Sequence, residues 1–461
     1  MKAFFKKIDR FTIINFVLMV LFLASTFYLL AGTKSFTNEP MKSLPLFAII
    51  TLFAGSFVFF GSLITLNICI KRYKPTYIIL GLLTILFVCG VIGIIILPCL
   101  NEFSIIRNNV ASQIIYEINN KDKFTYIVQL FAMIALTYSI IDIFPKIFDD
   151  LDFVYVLSIL AIIFVIFCFV YSLINEFDFY SSFIPKLINK EKNFQSIQSI
   201  FPNKNSYAVV LFIGLASSIF LHQRKFHWWW LVFAIFFLIN ILISFCKAYT
   251  FIAPFFLGAY LIYRFILSFK EHKARNIVTI SISFLLISGF IASIFILNNY
   301  IEGYSTYFVD IFIMGTPGAF ESRVQIWNVI YQMFANQNIL FGFGYRNFGF
   351  ALSVCLKETL IDYQFAHNTI IELIGNGGII LLCGFLLIFA YLIYLIIKEF
   401  KDNKSLILFE IALITSLSFV MIVESGSYIL PFTMDYAFFN MLIIVPLIIK
   451  RKEAHIPSVL Q

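Results

Sequence analysis

Long apolar runs set the architecture of this chain. Runs of about twenty mostly apolar residues recur along it, as over 11–32 and 368–397. A helix of about 20 residues crosses a hydrocarbon core of about 30 Å, and it satisfies its own backbone hydrogen bonds where no water can do so. Because 61% of the residues are hydrophobic and only 13% are charged, a soluble globular protein is excluded. The sequence predicts a polytopic membrane protein.

We predict an all-α fold, a transmembrane helix bundle of about 12 spans. Lysines and arginines are concentrated in the loops that place both termini in the cytoplasm. These loops account for the net charge of +8, so we do not expect nucleic-acid binding. The first apolar run is longer than that of a signal peptide and lacks a small-residue cleavage site, so it is predicted to be retained. The predicted spans are 11–32, 44–70, 76–98, 123–144, 153–175, 206–221, 227–245, 251–269, 277–298, 368–397, 405–423 and 435–449.

This topology divides the chain into three parts. An N-terminal bundle of about nine spans covers 1–298, a large extracytoplasmic loop covers 299–366, and a C-terminal bundle of about three spans covers 367–461. A loop of more than about 15 residues is usually functional or disordered, and the abundance of aromatic residues in this one favours order.

Thr316-Pro317 predicts the start of a helix inside the long loop. Apolar residues at three- and four-residue steps then predict the buried stripe of an amphipathic helix. Such a helix lies on the outer membrane surface or packs on the bundle. The stripe consists of Phe320, Val324, Trp327, Tyr331 and Phe334.

His367 is the candidate catalytic base. It lies at the outer boundary of a predicted span, whereas the other histidines fall on the predicted cytoplasmic side or at inner ends of spans. Asn368 and Glu372 share a helix face, so we expect a polar cluster there that also contacts the substrate. A neutral imidazole can accept a proton from a sugar hydroxyl near neutral pH. The alternative is a packed or capping histidine, which the position alone favours.

Arg323 and Lys247 are the candidate anion ligands. Arginine binds phosphate oxygens in a bidentate manner, and lysine acts as a point charge, so the two together suit a pyrophosphate. Lys247 interrupts an apolar stretch, where ionisable groups are costly and tend to have a purpose. The alternatives are an ammonium group that extends to the lipid headgroups and an arginine that contacts solvent or lipid phosphate.

Several other motifs carry weaker signals. Asn203 and Asn205 lie in a Phe-Pro-Asn-Lys-Asn turn that faces the predicted outer side, where they are candidate sugar or phosphate ligands, although a simple helix-entry turn is favoured. The glycines over 342–349 lack the strand that precedes a dinucleotide-binding loop, which favours a tight turn. The seven cysteines show no spacing typical of a metal site or a disulfide framework, and no metal or other cofactor is predicted.

In order and spacing, these motifs resemble the O-antigen ligase and polymerase superfamily of membrane proteins. The similarity covers roughly 200–395, and the N-terminal half matches only as a hydrophobic bundle. The matching elements are Phe201-Pro-Asn-Lys-Asn205, Lys247 after Ile-Ser-Phe-Cys, Arg323-Val-Gln-Ile-Trp327, Leu340-Phe-Gly-Phe-Gly344 with Phe348, and Ala366-His-Asn-Thr-Ile-Ile-Glu372 followed by Gly377-Gly-Ile-Ile.

The resemblance implies a GT-C-like membrane enzyme that joins polyprenyl-pyrophosphate-linked oligosaccharides outside the bacterial cytoplasmic membrane. It implies that His367 engages the acceptor hydroxyl and that Arg323 contacts the pyrophosphate, with Trp327 beside it as a substrate contact. Lys247 stands where such proteins usually have a second arginine, which keeps the charge but loses the bidentate fork. The implied partners are the lipid-linked oligosaccharide and the bilayer, with a chain-length regulator and a flippase as candidates.

The chain is therefore predicted to be a polymerase of surface-polysaccharide repeat units, of O-antigen or capsule type. A ligase that transfers the lipid-linked glycan to a terminal acceptor shares the same motifs and stays open. A transporter or flippase is the alternative of a different class, and a glycosyltransferase that uses polyprenyl monophosphate sugars is a third possibility. No pair of carboxylates of glycosidase type is evident, which argues against hydrolysis as the main activity.

Overall fold

The computed structural model describes residues 74–98, 100–107, 110–138, 141, 151–191, 197–201, 204–224, 227–268, 319–335, 339–345, 347–357, 366–399, 404–423 and 443, with isolated positions between 274 and 296. The chain forms two compact units. Unit 1 comprises 1–154, 323–395 and 424–461, and unit 2 comprises 155–322 and 396–423. The predicted division at 298 and 366 concerns membrane topology, which packing does not test, and it stays a prediction.

The described residues are mostly helical, as the apolar runs predict. The helices are α1 Lys74–Ile96, α2 Asn120–Tyr138, α3 Leu151–Asn175, α4 Phe177–Ile188, α5 Lys204–Arg224, α6 Trp228–Ile243, α7 Lys247–Ser268, α8 Ala319–Ala335, α9 Asn347–Lys357, α10 Thr369–Glu399 and α11 Lys404–Val423.

Among the residues that the structure describes, three helical segments are long and apolar enough to cross a membrane. They are Tyr77–Ile96, Ser158–Asn175 and Thr369–Lys398, each within a predicted span or nearly coincident with one. Shorter apolar helices cover parts of α5, α6, α9 and α11. The predicted spans 11–32, 44–70 and 435–449 lie outside the described residues, apart from position 443, so the total of about 12 spans stays a prediction.

A β-hairpin interrupts the helical pattern between α1 and α2. Its strands are β1, Leu100–Arg107, and β2, Val110–Glu117, and they pair antiparallel. Because side chains alternate along a strand, Ile105 and Ile114 are buried, whereas Ile115 is 57% exposed. The prediction of an entirely α-helical protein therefore missed this element.

The core of unit 1 joins the hairpin to the segment that contains Arg323 and His367. The hairpin packs its buried face on α8 and α9. Residues that are distant in the sequence thus form one hydrophobic cluster. Its buried members include Ile105, Ile114, Ile326, Met333, Phe348, Leu352 and Ala366.

In unit 2, α5 is the central helix. It is buried along most of its length and packs against α6, α7 and α11. The connections 225–227 and 244–246 are very short, so consecutive helices run antiparallel and α5 and α7 begin at the same end of the unit. This arrangement places Lys204 and Lys247, the first residues of these two helices, at that end.

Candidate functional site

The candidate site in unit 1 is a three-residue corner, Ala366–Asn368, that leads into α10. His367, at its centre, has a φ of 50°. This left-handed backbone conformation is unusual for a residue with a β-carbon and is typical of positions that the surrounding structure enforces. The imidazole is half-buried, not enclosed in the core. The corner thus places the predicted base at the N-terminal end of a helix that is long and apolar enough to cross a membrane.

Side chains from two helices hold Ala366 in place. The indole Nε1 of Trp327 on α8 donates to the Ala366 carbonyl at 2.7 Å. The Ala366 N–H donates to Oε2 of Glu372 on α10 at 2.9 Å. Since Ala366 is fully buried, both of its backbone polar groups require partners, and these side chains supply them.

Asn368 acts as the N-cap of α10. Its Oδ1 accepts hydrogen bonds from the N–H groups of Ile370 and Ile371, at 3.0 and 3.1 Å. The first N–H groups of a helix have no partner within the helix, so an asparagine at this position stabilises the helix start. Asn368 thus stabilises the helix start, and Glu372, one turn further along, bonds to Ala366. The predicted role of the two side chains in contacting a substrate stays a prediction.

Arg323 lies one helical turn before Trp327 on α8, which places the two residues on the same side of the helix. Both side chains are half-buried. Trp327 bonds to the residue next to His367, so Arg323 lies one helical turn from that contact.

The buried face of α8 differs from the predicted stripe. Val324 is 37% exposed and Tyr331 is 76% exposed. Trp327 and Phe334, also in the predicted stripe, are half-buried against the core. The prediction of an amphipathic helix is confirmed, but the predicted buried face was partly wrong. The predicted stripe did not include several aliphatic residues that the structure buries. The buried residues of this face are Ile326, Val329, Ile330 and Met333.

A break in α10 receives the glycine-rich loop 339–344. At Gly378 the backbone leaves the helical conformation, with φ 68° and ψ −165°. The N–H of Ile379 then donates to the Ile339 carbonyl at 3.0 Å, and the N–H of Phe343 donates to the Gly375 carbonyl at 2.7 Å. We call this main-chain pairing the seam. The loop is a tight turn, as the sequence predicts.

Lys247 belongs to unit 2 and is therefore described separately. It is half-buried at the start of α7. Burial, and to a smaller extent the positive charge of Lys204, together lower the pKa of Lys247 to about 8. Two lysines within electrostatic reach of each other, at the starts of two helices, form a positively charged region that suits an anion. Asn205 is half-buried beside Lys204 in sequence, and Asn203 lies outside the described residues.

Sequence reasoning missed a carboxylate in unit 2. Glu176, between α3 and α4, accepts hydrogen bonds from the N–H groups of Gln198 and Ser199, at 2.9 and 3.2 Å, and from the Ser172 hydroxyl. It thereby fixes the segment that precedes Asn203. The available signal was a glutamate at the end of a span-length apolar run, a position that is costly for a charge without partners.

Comparison with known proteins gives no relative from which a function can be taken. No family model, no curated protein and no solved structure matches this chain. Within the described ranges, no group of three or more His, Cys, Asp or Glu side chains is arranged to hold a metal ion.

Proposed function

We propose that this protein is a membrane glycosyltransferase that polymerises oligosaccharide repeat units carried on polyprenyl pyrophosphate, on the outer face of the bacterial cytoplasmic membrane. The observation that carries the proposal is the corner at the start of α10. There a half-buried histidine has an enforced left-handed backbone, and Trp327, one turn from Arg323, bonds to the adjacent residue.

In the proposed reaction, His367 takes the proton of an acceptor sugar hydroxyl. The hydroxyl oxygen bonds to the anomeric carbon of the donor glycan while the bond from that carbon to the pyrophosphate oxygen breaks. The polyprenyl pyrophosphate leaves with the bonding electrons, and Arg323 offsets its negative charge. With so activated a leaving group, orientation and charge stabilisation supply most of the catalysis.

The break in α10 bears on the transporter alternative. Transporters bind substrates at broken helices, whose freed backbone groups face the ligand. Here Ile379 N–H and Gly375 C=O, at the break, hydrogen-bond the main chain of the 339–344 loop. These groups are occupied by protein, which favours an enzyme over a transporter that binds its cargo at this break.

The proposal is tested by variants of the predicted reacting residues. We expect His367→Ala and Arg323→Ala proteins to insert normally but to leave cells with single-repeat glycans in place of long chains. Val324→Ala, next to Arg323 but partly exposed, is the matched control and should give normal chains. Glycan length on gels is the measurement, and a normal ladder from His367→Ala would remove the proposed base.

A deletion strain separates the polymerase from the ligase. A polymerase defect should accumulate single repeat units on the lipid carrier, because the units are made but not joined. Accumulated long lipid-linked chains would instead identify a ligase. Mass spectrometry of the extracted lipid-linked glycans makes the distinction.

A further inference from the structure

The strongest unassigned feature is the way in which two side chains constrain the residue before His367. Trp327 binds the Ala366 carbonyl from α8, and Glu372 binds the Ala366 N–H from α10. Trp327 is 39 residues from Ala366 in sequence. Because both the N–H and the C=O of Ala366 are hydrogen-bonded, the backbone that continues into His367 has little conformational freedom.

The next residue, His367, has a left-handed backbone conformation, which is unfavourable by itself. A residue with a β-carbon loses stability in the left-handed region, so such conformations persist only where neighbouring contacts over-determine them. His367 has Ala366 held on one side and the N-cap Asn368 on the other. The backbone from which the His367 ring projects is therefore fixed by contacts of its two neighbours.

The hydrogen-bonding capacity of the two side chains is already used. The indole N–H is the only polar group of a tryptophan side chain, and that of Trp327 donates to the Ala366 carbonyl. Glu372 is 8% exposed. Its Oε2 accepts from Ala366, and its Oε1 accepts from Asn376 Nδ2 at 3.2 Å. Trp327 could hydrogen-bond a substrate through its indole only by losing its bond to Ala366. Glu372 is buried, and both of its carboxylate oxygens already accept hydrogen bonds.

We propose that Trp327 and Glu372 are positioning residues that aim the His367 imidazole by holding Ala366, and that they do not bind the substrate. This assignment rests on the proposed function in that His367 is taken as the reacting group. It replaces the substrate contacts that the sequence suggests for these two residues.

The first test is spectroscopic and does not depend on activity. With Trp228, Trp229 and Trp230 replaced by phenylalanine, Trp327 is the only tryptophan, and protonated imidazole quenches a neighbouring indole. We expect Trp327 emission from the purified full-length protein to fall in one step when the solution is acidified enough to protonate histidine side chains. His367→Gln in the same background should abolish this step. A step that is absent, or that survives His367→Gln, overturns the geometry.

The second test is kinetic and uses lipid-linked repeat units as substrate. Trp327→Phe keeps an aromatic ring but removes the indole N–H that bonds to Ala366. We therefore expect kcat to fall about tenfold, with KM for the lipid-linked glycan unchanged. Tyr331→Phe, one turn away on the exposed side of α8, should change neither constant. A raised KM with unchanged kcat in Trp327→Phe would show substrate binding and would overturn the assignment.

Glu372 offers a conservative rescue. Glu372→Gln keeps an oxygen for the Ala366 N–H, and the Asn376 bond to the Glu372 main-chain carbonyl remains, so most of kcat and the fluorescence step should be retained. Glu372→Ala should lose both. If Glu372→Gln loses as much kcat as Glu372→Ala but keeps the fluorescence step, the negative charge of Glu372 is required for another purpose and the assignment is wrong. If wild-type protein joins no repeat units, the proposed function fails, and the fluorescence test still decides the geometry.

Discussion

At the scale of single residues, charge and burial determine what a side chain can contribute. Lys247 is a lysine whose pKa lies at about 8, because burial, and then the charge of Lys204, disfavour its ammonium form. At neutral pH it remains mostly protonated, so it suits an anion while being easier to discharge than an exposed lysine.

Removing Lys204 should therefore raise the pKa of Lys247. In Lys204→Ala the like charge is lost while burial, the larger cause, remains, so the pKa should rise but stay below 10.5, the ordinary lysine value. The measurement is the pH dependence of acylation of Lys247, followed by mass spectrometry. Lys186→Ala, on α4 of the same unit, is the control. An unchanged midpoint in Lys204→Ala would contradict the prediction.

At the scale of elements, the seam and the hairpin show where main-chain contacts and packing determine the structure. A β-carbon added at Gly378 would lie 2.1 Å from the Leu340 carbonyl oxygen, and one at Gly342 would lie 2.4 Å from the Ile374 carbonyl oxygen. Backbone atoms cannot move aside as a flexible side chain can, and both glycines have positive φ. These two positions therefore require glycine.

Gly378→Ala should destabilise the protein by about 2 kcal/mol or more, since it adds a steric clash to a backbone conformation that alanine disfavours. Gly81→Ala on α1 has nothing within 4 Å of the added carbon and should be neutral or slightly stabilising. Thermal unfolding of the purified protein in detergent compares the two. Equal melting temperatures would show that the seam tolerates a side chain.

The hairpin offers a matched pair of isoleucines on opposite faces. Ile114→Ala removes a buried side chain from the core of unit 1 and should lower the free energy of unfolding by about 2–4 kcal/mol. Ile115→Ala, at a position 57% exposed, should change it by less than about 0.5 kcal/mol. Denaturant unfolding of the two variants gives the difference. Similar losses would mean that the hairpin does not dock as described.

At the scale of the whole molecule, the sequence predicted the long apolar helices of the described residues because long apolar runs leave few alternatives, but it did not predict the shorter helices α4 and α9. It also located His367, Asn368 and Glu372 together, because their spacing is local. It did not reveal that Trp327 bonds to Ala366, since a tertiary contact across 39 residues has no local pattern. It missed the hairpin, although Asn108-Asn109 between two Ile-containing runs is a turn signal.

The predicted topology can be tested on intact cells. In a cysteine-free background, Tyr331→Cys should react with a membrane-impermeant maleimide from outside, because this exposed position belongs to the predicted extracytoplasmic loop. Trp229→Cys, 57% exposed at a predicted cytoplasmic end, should react only after permeabilisation. The extent of labelling before and after permeabilisation is the measurement. Reaction of both positions from outside would contradict the predicted topology.

The seam also has a consequence for tracing the ancestry of this chain. Its hydrogen bonds join peptide groups, so the large side chains along it can change while the pairing persists. What cannot change at Gly342 and Gly378 is the lack of a β-carbon. Distant relatives should therefore be found more readily by where glycines fall along the chain than by which bulky residues surround them.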